Sequence, residues 1–247
     1  MNNFFTLSGK YFLLLSKAFR KPEKWKIFWK QFFLEADKLV INSIPLVALI
    51  SLFIGAVIVI QTAINLENPL IPRMYVGYMV RESLVLEFCS TMVCLILAGK
   101  IGSNIASEIG SMRITEQIDA MDIMGINSAN YLIMPKVISA TILNPLIMLL
   151  SLAIGLFGGF VTIATTGMVS IADYVTGIRF CFSGYYVFYS LVKTSVFSFI
   201  ITSISSFYGY YAVGGSLGVG KSSTKAIVVS SALILIFNLV LTKLMLG

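Results

Sequence analysis

Histidine is absent from all 247 residues. Its absence removes histidine-dependent triads, histidine general bases and histidine zinc sites together. Charge is scarce too. Asp, Glu, Lys and Arg make up 12% of the chain, where a soluble domain carries about a quarter. Such a chain is short of groups with which to face water. Cys89, Cys94 and Cys181 all fall in apolar surroundings. They form no disulfide framework and no metal-ligand spacing, and behave as small hydrophobes. No apolar run near the start precedes a small-residue cleavage site, so no cleavable signal peptide is expected.

What the chain has instead is apolar length. Hydrophobic residues reach 57% and the mean hydropathy is +0.91. Ile44 to Leu66, Val137 to Ala172, Thr194 to Gly220 and Ala226 to Thr242 carry no charge. A helix crosses the hydrocarbon core with about 20 apolar residues, so each run is long enough to span. The expectation is an all-α membrane protein with five spans, near 44–64, 83–105, 137–166, 190–212 and 226–246. Glu87 makes the second span the least hydrophobic. Pro145 should kink or break the third.

Position gives the net charge of +7 its meaning. Eight of the 18 Lys and Arg residues precede residue 40, interleaved with Phe12, Leu13, Trp25, Phe28, Trp29 and Phe32. Basic and aromatic residues mixed beside a span describe an amphipathic helix on an anionic lipid surface, not a nucleic-acid site. The expected division is residues 1–40 as this interfacial helix region and 41–247 as the transmembrane domain. With the N-terminus inside, the cytoplasmic side collects those eight plus Lys100, Arg113, Lys136, Lys221 and Lys225. Arg73, Arg81, Arg179, Lys193 and Lys243 fall on or near the other. The bias toward the inner side sets the orientation and makes 106–136 a cytoplasmic loop.

Gly215-Ser-Leu-Gly-Val-Gly-Lys221-Ser222 satisfies the pattern of a phosphate-binding P-loop. That motif works where a strand enters and a helix leaves, and uncharged membrane segments flank it here. The reading is a glycine-rich cytoplasmic turn.

A stripe of small residues, Ala98, Gly102, Ala106 and Gly110, repeats every four residues and so shares one helical face. Small residues let helix backbones approach closely in lipid. Both packing within one subunit and a subunit interface account for the stripe. Beyond it, Ile114, Ile118, Met121 and Gly125 share a face at 100° per residue, while Glu116, Asp119 and Asp122 fall on another. Gly125 is a plausible helix end. An acidic face on a basic inner surface repels anionic lipid and suits a protein partner. Within the spans, Gln61 and Glu87 are the polar groups of interest. An ionised carboxylate at the bilayer centre costs about 2.5 kcal/mol or more. It therefore faces a cavity or a partner, either as an interhelical hydrogen bond or as a headgroup contact.

These residues together resemble a known family. Ala98-Gly-Lys-Ile-Gly-Ser, Glu108-Ile-Gly-Ser-Met112, Thr115-Glu-Gln-Ile-Asp-Ala-Met121, Met124-Gly125, Tyr131-Leu132 and Pro135-Lys136 are similar to the MlaE/YrbE-type permeases, membrane subunits of MCE-associated ABC lipid transporters. Phe53-Ile-Gly-Ala-Val-Ile-Val-Ile-Gln61 resembles the family's first-span signature, and the likeness runs from about residue 40 to 246. Two positions depart. Where the family commonly has Arg-Glu-x-Gly-Pro, Leu86-Glu87-Phe88-Cys89-Ser90 retains only the Glu, and the family's late Asp is Asn238 here.

The resemblance implies a permease in the bacterial inner membrane that is not itself an enzyme, has no catalytic residue and binds no cofactor or metal. It implies a homodimer, a cytoplasmic ABC ATPase subunit holding ATP and Mg²⁺, an MCE-domain protein outside, and a lipid substrate. Glu108, Glu116, Gln117, Asp119, Ala120, Met121, Met124 and Gly125 then form the coupling surface for the ATPase. Gly55, Gln61, Glu87 and Ser90 are expected to line a substrate cavity at the dimer centre, bounded partly by the first and second spans. The rival expectation is an ion-coupled secondary transporter that uses Glu87.

Overall fold

The computed structural model describes residues 2–21, 24–66 and 72–247, with side chains from Thr6 onward. Met1, Pro22 and Glu23 of the 1–40 region lie outside the described residues. The 1–40 region holds two helices, α1 (Asn2–Ala18) and α2 (Trp25–Glu35). After α2 a π-helical turn (Ala36–Val40) and a 3₁₀ turn (Ile41–Ser43) lead straight into α3 (Ile44–Asn65). Pro45 explains the irregular entry. It has no N–H to bond the preceding turn, and the wider and tighter turns before it absorb the mismatch.

The chain continues through α4 (Met74–Ser83), a π-helical stretch (Leu84–Met92), α5 (Val93–Leu97), a second π stretch (Ala98–Gly102) and α6 (Ser103–Ile114). The remaining helices are α7 (Gln117–Ile123), α8 (Ser128–Thr166), α9 (Ile171–Arg179), α10 (Gly184–Tyr210) and α11 (Gly215–Leu246). No strand occurs among the described residues. Five helical runs are long and apolar enough to cross a membrane: Trp25–Asn65, Met74–Ile114, Ser128–Thr166, Gly184–Tyr210 and Gly215–Leu246. The protein is an all-α, multi-pass membrane protein.

Three expectations need correction. The helices overrun the expected span ends, because hydropathy marks the hydrocarbon and a helix has no reason to stop at its edge. Pro145 lies inside the uninterrupted α8. It removes one backbone hydrogen bond, whereas breaking the helix would expose several unsatisfied groups. The Gly215–Ser222 motif is not a turn but the start of α11. The turn lies just before it, where Gly214 and Gly215 adopt φ of +94° and +66°. A helix, α10, precedes the motif, so nothing there forms a phosphate cradle.

The chain divides into two compact units. One comprises residues 1–43, 95–143 and 196–240, the other 44–94, 144–195 and 241–247. In the first unit the small-residue stripe is spent on contacts within this chain. A Cβ on Gly102 would sit 2.9 Å from Ser205 Oγ of α10, and one on Gly110 would sit 3.1 Å from Val219 of α11. Ala98 and Ala106 are fully buried. Packing within one subunit is therefore the role the structure gives the stripe. Helix α1 also joins this unit: Leu14 and Ala18 are buried, and Tyr11 and Ser203 share a 2.9 Å hydrogen bond. Burial raises the Tyr11 phenol above its ordinary pKa against a lowering by that bond, so it remains a neutral phenol.

In the second unit α3 and α8 nearly touch backbones. A Cβ on Gly55 would lie 1.9 Å from the Gly155 carbonyl oxygen, and Ser51 and Ser151 hydrogen-bond at 2.7 Å. Close backbone approach of this kind holds helices together where lipid offers no hydrophobic drive. Arg81 pins the end of α9. Its guanidinium donates to the carbonyls of Ile178 at 2.7 Å and Phe180 at 2.8 Å, and it is paired with Glu82.

Candidate functional site

The short helix α7 is built between two left-handed residues. Glu116 turns the chain at φ 59°, and Gly125 ends the segment at φ 79°. The expected single helix from Ile114 to Gly125 is therefore cut. Ile114 and Thr115 belong to the end of α6 and the turn, and only Gln117–Ile123 is helical. Ile118 anchors the segment, with none of its surface exposed.

The acidic face is also partly spent. Arg113 donates to Asp119 at 2.5 Å, and Asp122 accepts from the Ser128 amide at 3.4 Å, at the start of α8. What the segment offers outward is mixed: exposed Glu116, Gln117, Ala120 and Gly125, together with Ile123 at 87% and Met124 at 67% exposure. Met121 is half-buried. Ile123, absent from the expected coupling set, is its most exposed large apolar side chain. At 100° per residue Ile123 falls between Glu116 and Asp119, on the face that reads as acidic.

Glu108 stands apart from this surface. Its carboxylate pairs with Lys136 at 2.9 Å and with Lys38 at 2.8 Å, and Lys136 pairs also with Glu35 at 2.5 Å. Lys136 is 2% exposed. This four-charge cluster ties α6, α8 and the α2 end together. Nothing in the sequence announced it, since Glu35 and Lys136 are 101 positions apart.

The intramembrane polar group lies in the second unit. Glu87 sits on the π-helical stretch Leu84–Met92, the kind of widened turn that recurs at functional sites. Lys193 of α10, with no exposed surface, donates to Glu87 Oε1 at 3.0 Å and to the Leu86 carbonyl at 3.0 Å. Its ammonium lies 5.1 Å from the Tyr189 ring centre. Thr91 donates to Glu87 Oε2 at 2.9 Å. The Glu87 side chain nevertheless keeps 44% of its surface open. Sequence reasoning had Lys193 only as an orientation charge. A lone cation in an apolar run demands a buried anion, and Glu87 was the one carboxylate inside a span, so the pairing could have been drawn.

The other expected cavity residues do not join Glu87. Gly55 is closed by the α8 backbone. Ser90 is fully buried and donates to the Leu86 carbonyl at 3.1 Å. Gln61 lines a shallow recess of about 420 Å³ with Val57, Ile60, Ile64 and Asn65, an opening that does not include Glu87. No group of acids and cysteines that could hold a metal ion occurs among the described residues.

Comparison with known proteins agrees with this architecture. The family described as Permease MlaE matches residues 32–244. A probable ABC transporter permease protein of Rickettsia bellii is 38% identical over 202 residues, covering 82% of this chain and 78% of its own. The intermembrane phospholipid transport system permease protein MlaE of Haemophilus influenzae is 27% identical over 247 residues, covering 99% and 94%. The chloroplastic protein TRIGALACTOSYLDIACYLGLYCEROL 1 of Arabidopsis thaliana is 27% identical over 227 residues, covering 89% of this chain and 63% of its own. The five spanning helices, the short helix between the second and third, and a family match across most of the length lead to one conclusion: this chain belongs to the MlaE permease family and is an ABC transporter permease subunit.

Proposed function

We propose that this subunit moves phospholipids or similar amphiphiles between the bacterial inner membrane and an extracytoplasmic MCE-type carrier. It acts as a homodimer, with its N-terminus in the cytoplasm and ATP and Mg²⁺ held by a separate ABC ATPase. The observation that carries this reading is the end-to-end likeness to a phospholipid transport permease, over 99% of this chain.

Physical features support it. A lipid needs apolar surface for its tails and a few placed polar atoms for its headgroup. The spans meet that need with long apolar faces and one partly open carboxylate, Glu87, already charge-matched by Lys193. The two Glu87 oxygens are taken by Lys193 and Thr91, an arrangement that serves a fixed headgroup contact better than the ion site of a secondary transporter. On the cytoplasmic side, Glu116, Gln117, Asp119, Ala120, Met121, Met124 and Gly125, with Ile123, form the ATPase-coupling surface. Ile123 and Met124 are the apolar anchors of the kind that carry binding energy. Glu108 is taken up by Lys136 and Lys38 and is left out of this surface.

Native mass spectrometry of the complex purified from its own membrane tests the proposal. Bound phospholipid on a dimer carrying two ATPase chains is the expected result. A delipidated complex that takes up no lipid, yet binds a water-soluble solute, would overturn it.

A further inference from the structure

A cavity of about 670 Å³ opens in the first unit. Its rim is basic. Lys17 and Arg20 come from α1 and its end, Lys21 and Lys24 from the segment before α2. All four are exposed, and none forms an ion pair among the described residues. The rest of the lining mixes polar Gln31, Asn127, Ser128, Asn130 and Tyr131 with apolar Ile27, Phe28, Ile126 and Pro135.

Local bonding makes this a built cleft rather than loose side chains. Asn130 donates to the carbonyls of Ala18 at 2.7 Å and Arg20 at 2.6 Å, and Asn127 donates to that of Lys17 at 3.1 Å. These bonds take up the carbonyls at the end of α1, which would otherwise repel an anion. Gln31 and Tyr131 close the far side at 2.8 Å. The 39-residue helix α8 starts at Ser128 in the cavity wall, and a helix N-terminus adds positive potential there. Among the described residues the one acid lining the cavity is Asp122, whose carboxylate is engaged by the Ser128 amide. Four cations against that one carboxylate suit a phosphate group.

We propose that this cavity binds a phosphoryl anion, presented either by an anionic lipid headgroup of the inner leaflet or by a soluble phosphate. An anion held there bridges the α1–α2 pair to the segment that leaves α7, since Asp122, Gly125 and Ile126 line the same cavity. Occupancy thus braces the segment on which coupling depends.

The test compares two equal losses of charge in the full permease complex. Arg20→Ala with Lys24→Ala removes cavity cations. Lys26→Ala with Lys30→Ala removes two from α2 that do not line it. Retention of phosphatidylglycerol from 4:1 phosphatidylcholine–phosphatidylglycerol vesicles is read by native mass spectrometry. Binding of inorganic pyrophosphate is read by calorimetry in phosphatidylcholine nanodiscs. The cavity pair should weaken the bound anion about thirtyfold, at roughly 1 kcal/mol for each of the two cations near the surface, and the control pair under about twofold. An effect on the lipid alone assigns a headgroup site, and an equal effect on pyrophosphate assigns a soluble anion. Gln31→Glu gives a second reading without removing a cation: the amide that donates to Tyr131 becomes a carboxylate that can accept from it, and binding should fall through repulsion. Equal losses from both double variants, or no binding of either probe, would reduce the basic rim to general attraction for the membrane and end the proposal.

Discussion

Each unit of this permease buries one lysine, and the two are treated differently. In the first unit Lys136 is enclosed by Glu35 and by Glu108, which Lys38 also neutralises. In the second, Lys193 has one carboxylate, one carbonyl and an aromatic face, and its partner Glu87 stays partly open. A buried charge is costly unless fully paired. The closed cluster answers most of that cost with protein groups, leaving only Glu35 Oε2 without a hydrogen-bond partner. The open pair leaves the Glu87 carboxylate partly exposed at membrane depth. The contrast teaches that burial of a cation marks structure in one place and a potential contact in the other, and only the exposure of its partner tells them apart.

The largest test replaces the lysines. Lys136→Met strands the Glu35 carboxylate without a partner, Glu108 keeping only Lys38, and should lower subunit stability by about 3–5 kcal/mol, measured as the thermal unfolding midpoint in detergent. Lys193→Met should cost clearly less, because Glu87 can hydrate through its open side. Equal losses would erase the distinction between closed and open. Next in size, Gly55→Ala forces a methyl against the Gly155 carbonyl and should cost about 1–3 kcal/mol by overpacking without touching any charge. It calibrates how much of the Lys193→Met loss is electrostatic. Glu87→Gln leaves a neutral acceptor beside the fully buried Lys193 ammonium, so stability should fall by about 1–3 kcal/mol, while retained lipid counted by mass spectrometry should drop. Unchanged lipid retention would return Glu87 to a purely structural role. Last, Ile123→Asp with Met124→Asp should leave unfolding of the isolated subunit unchanged but release the ATPase on co-purification. Full recovery of the ATPase with this variant would remove α7's tip from the coupling surface.

Much of this was legible beforehand. The absence of histidine, the scarcity of charge and the uncharged runs set the chemistry and the number of long helices, since these are sums over local windows. The block around Thr115 to Met121 marked a special segment between two spans, and the structure puts a separate helix there. Its exact shape was not legible. The left-handed turn at Glu116 is a backbone state that a non-glycine residue seldom adopts, and helical periodicity assumes it away. Asp119 accordingly read as part of a free acidic face, whereas the turn brings Arg113 against it.

Sequence by itself determined that this chain is an all-α membrane protein of five long helices, because hydrocarbon tolerates little else in its backbone and its apolar runs have the required length. Tertiary structure alone decided that Gly55 meets a backbone rather than a substrate, that the small-residue stripe packs inside the subunit, and that Lys136 and Lys193 find Glu35, Glu108 and Glu87. Those outcomes depend on the rotation and register of helices about a hundred residues apart. Local propensity does not encode these, because a helix turned by one residue keeps its hydropathy and changes every neighbour.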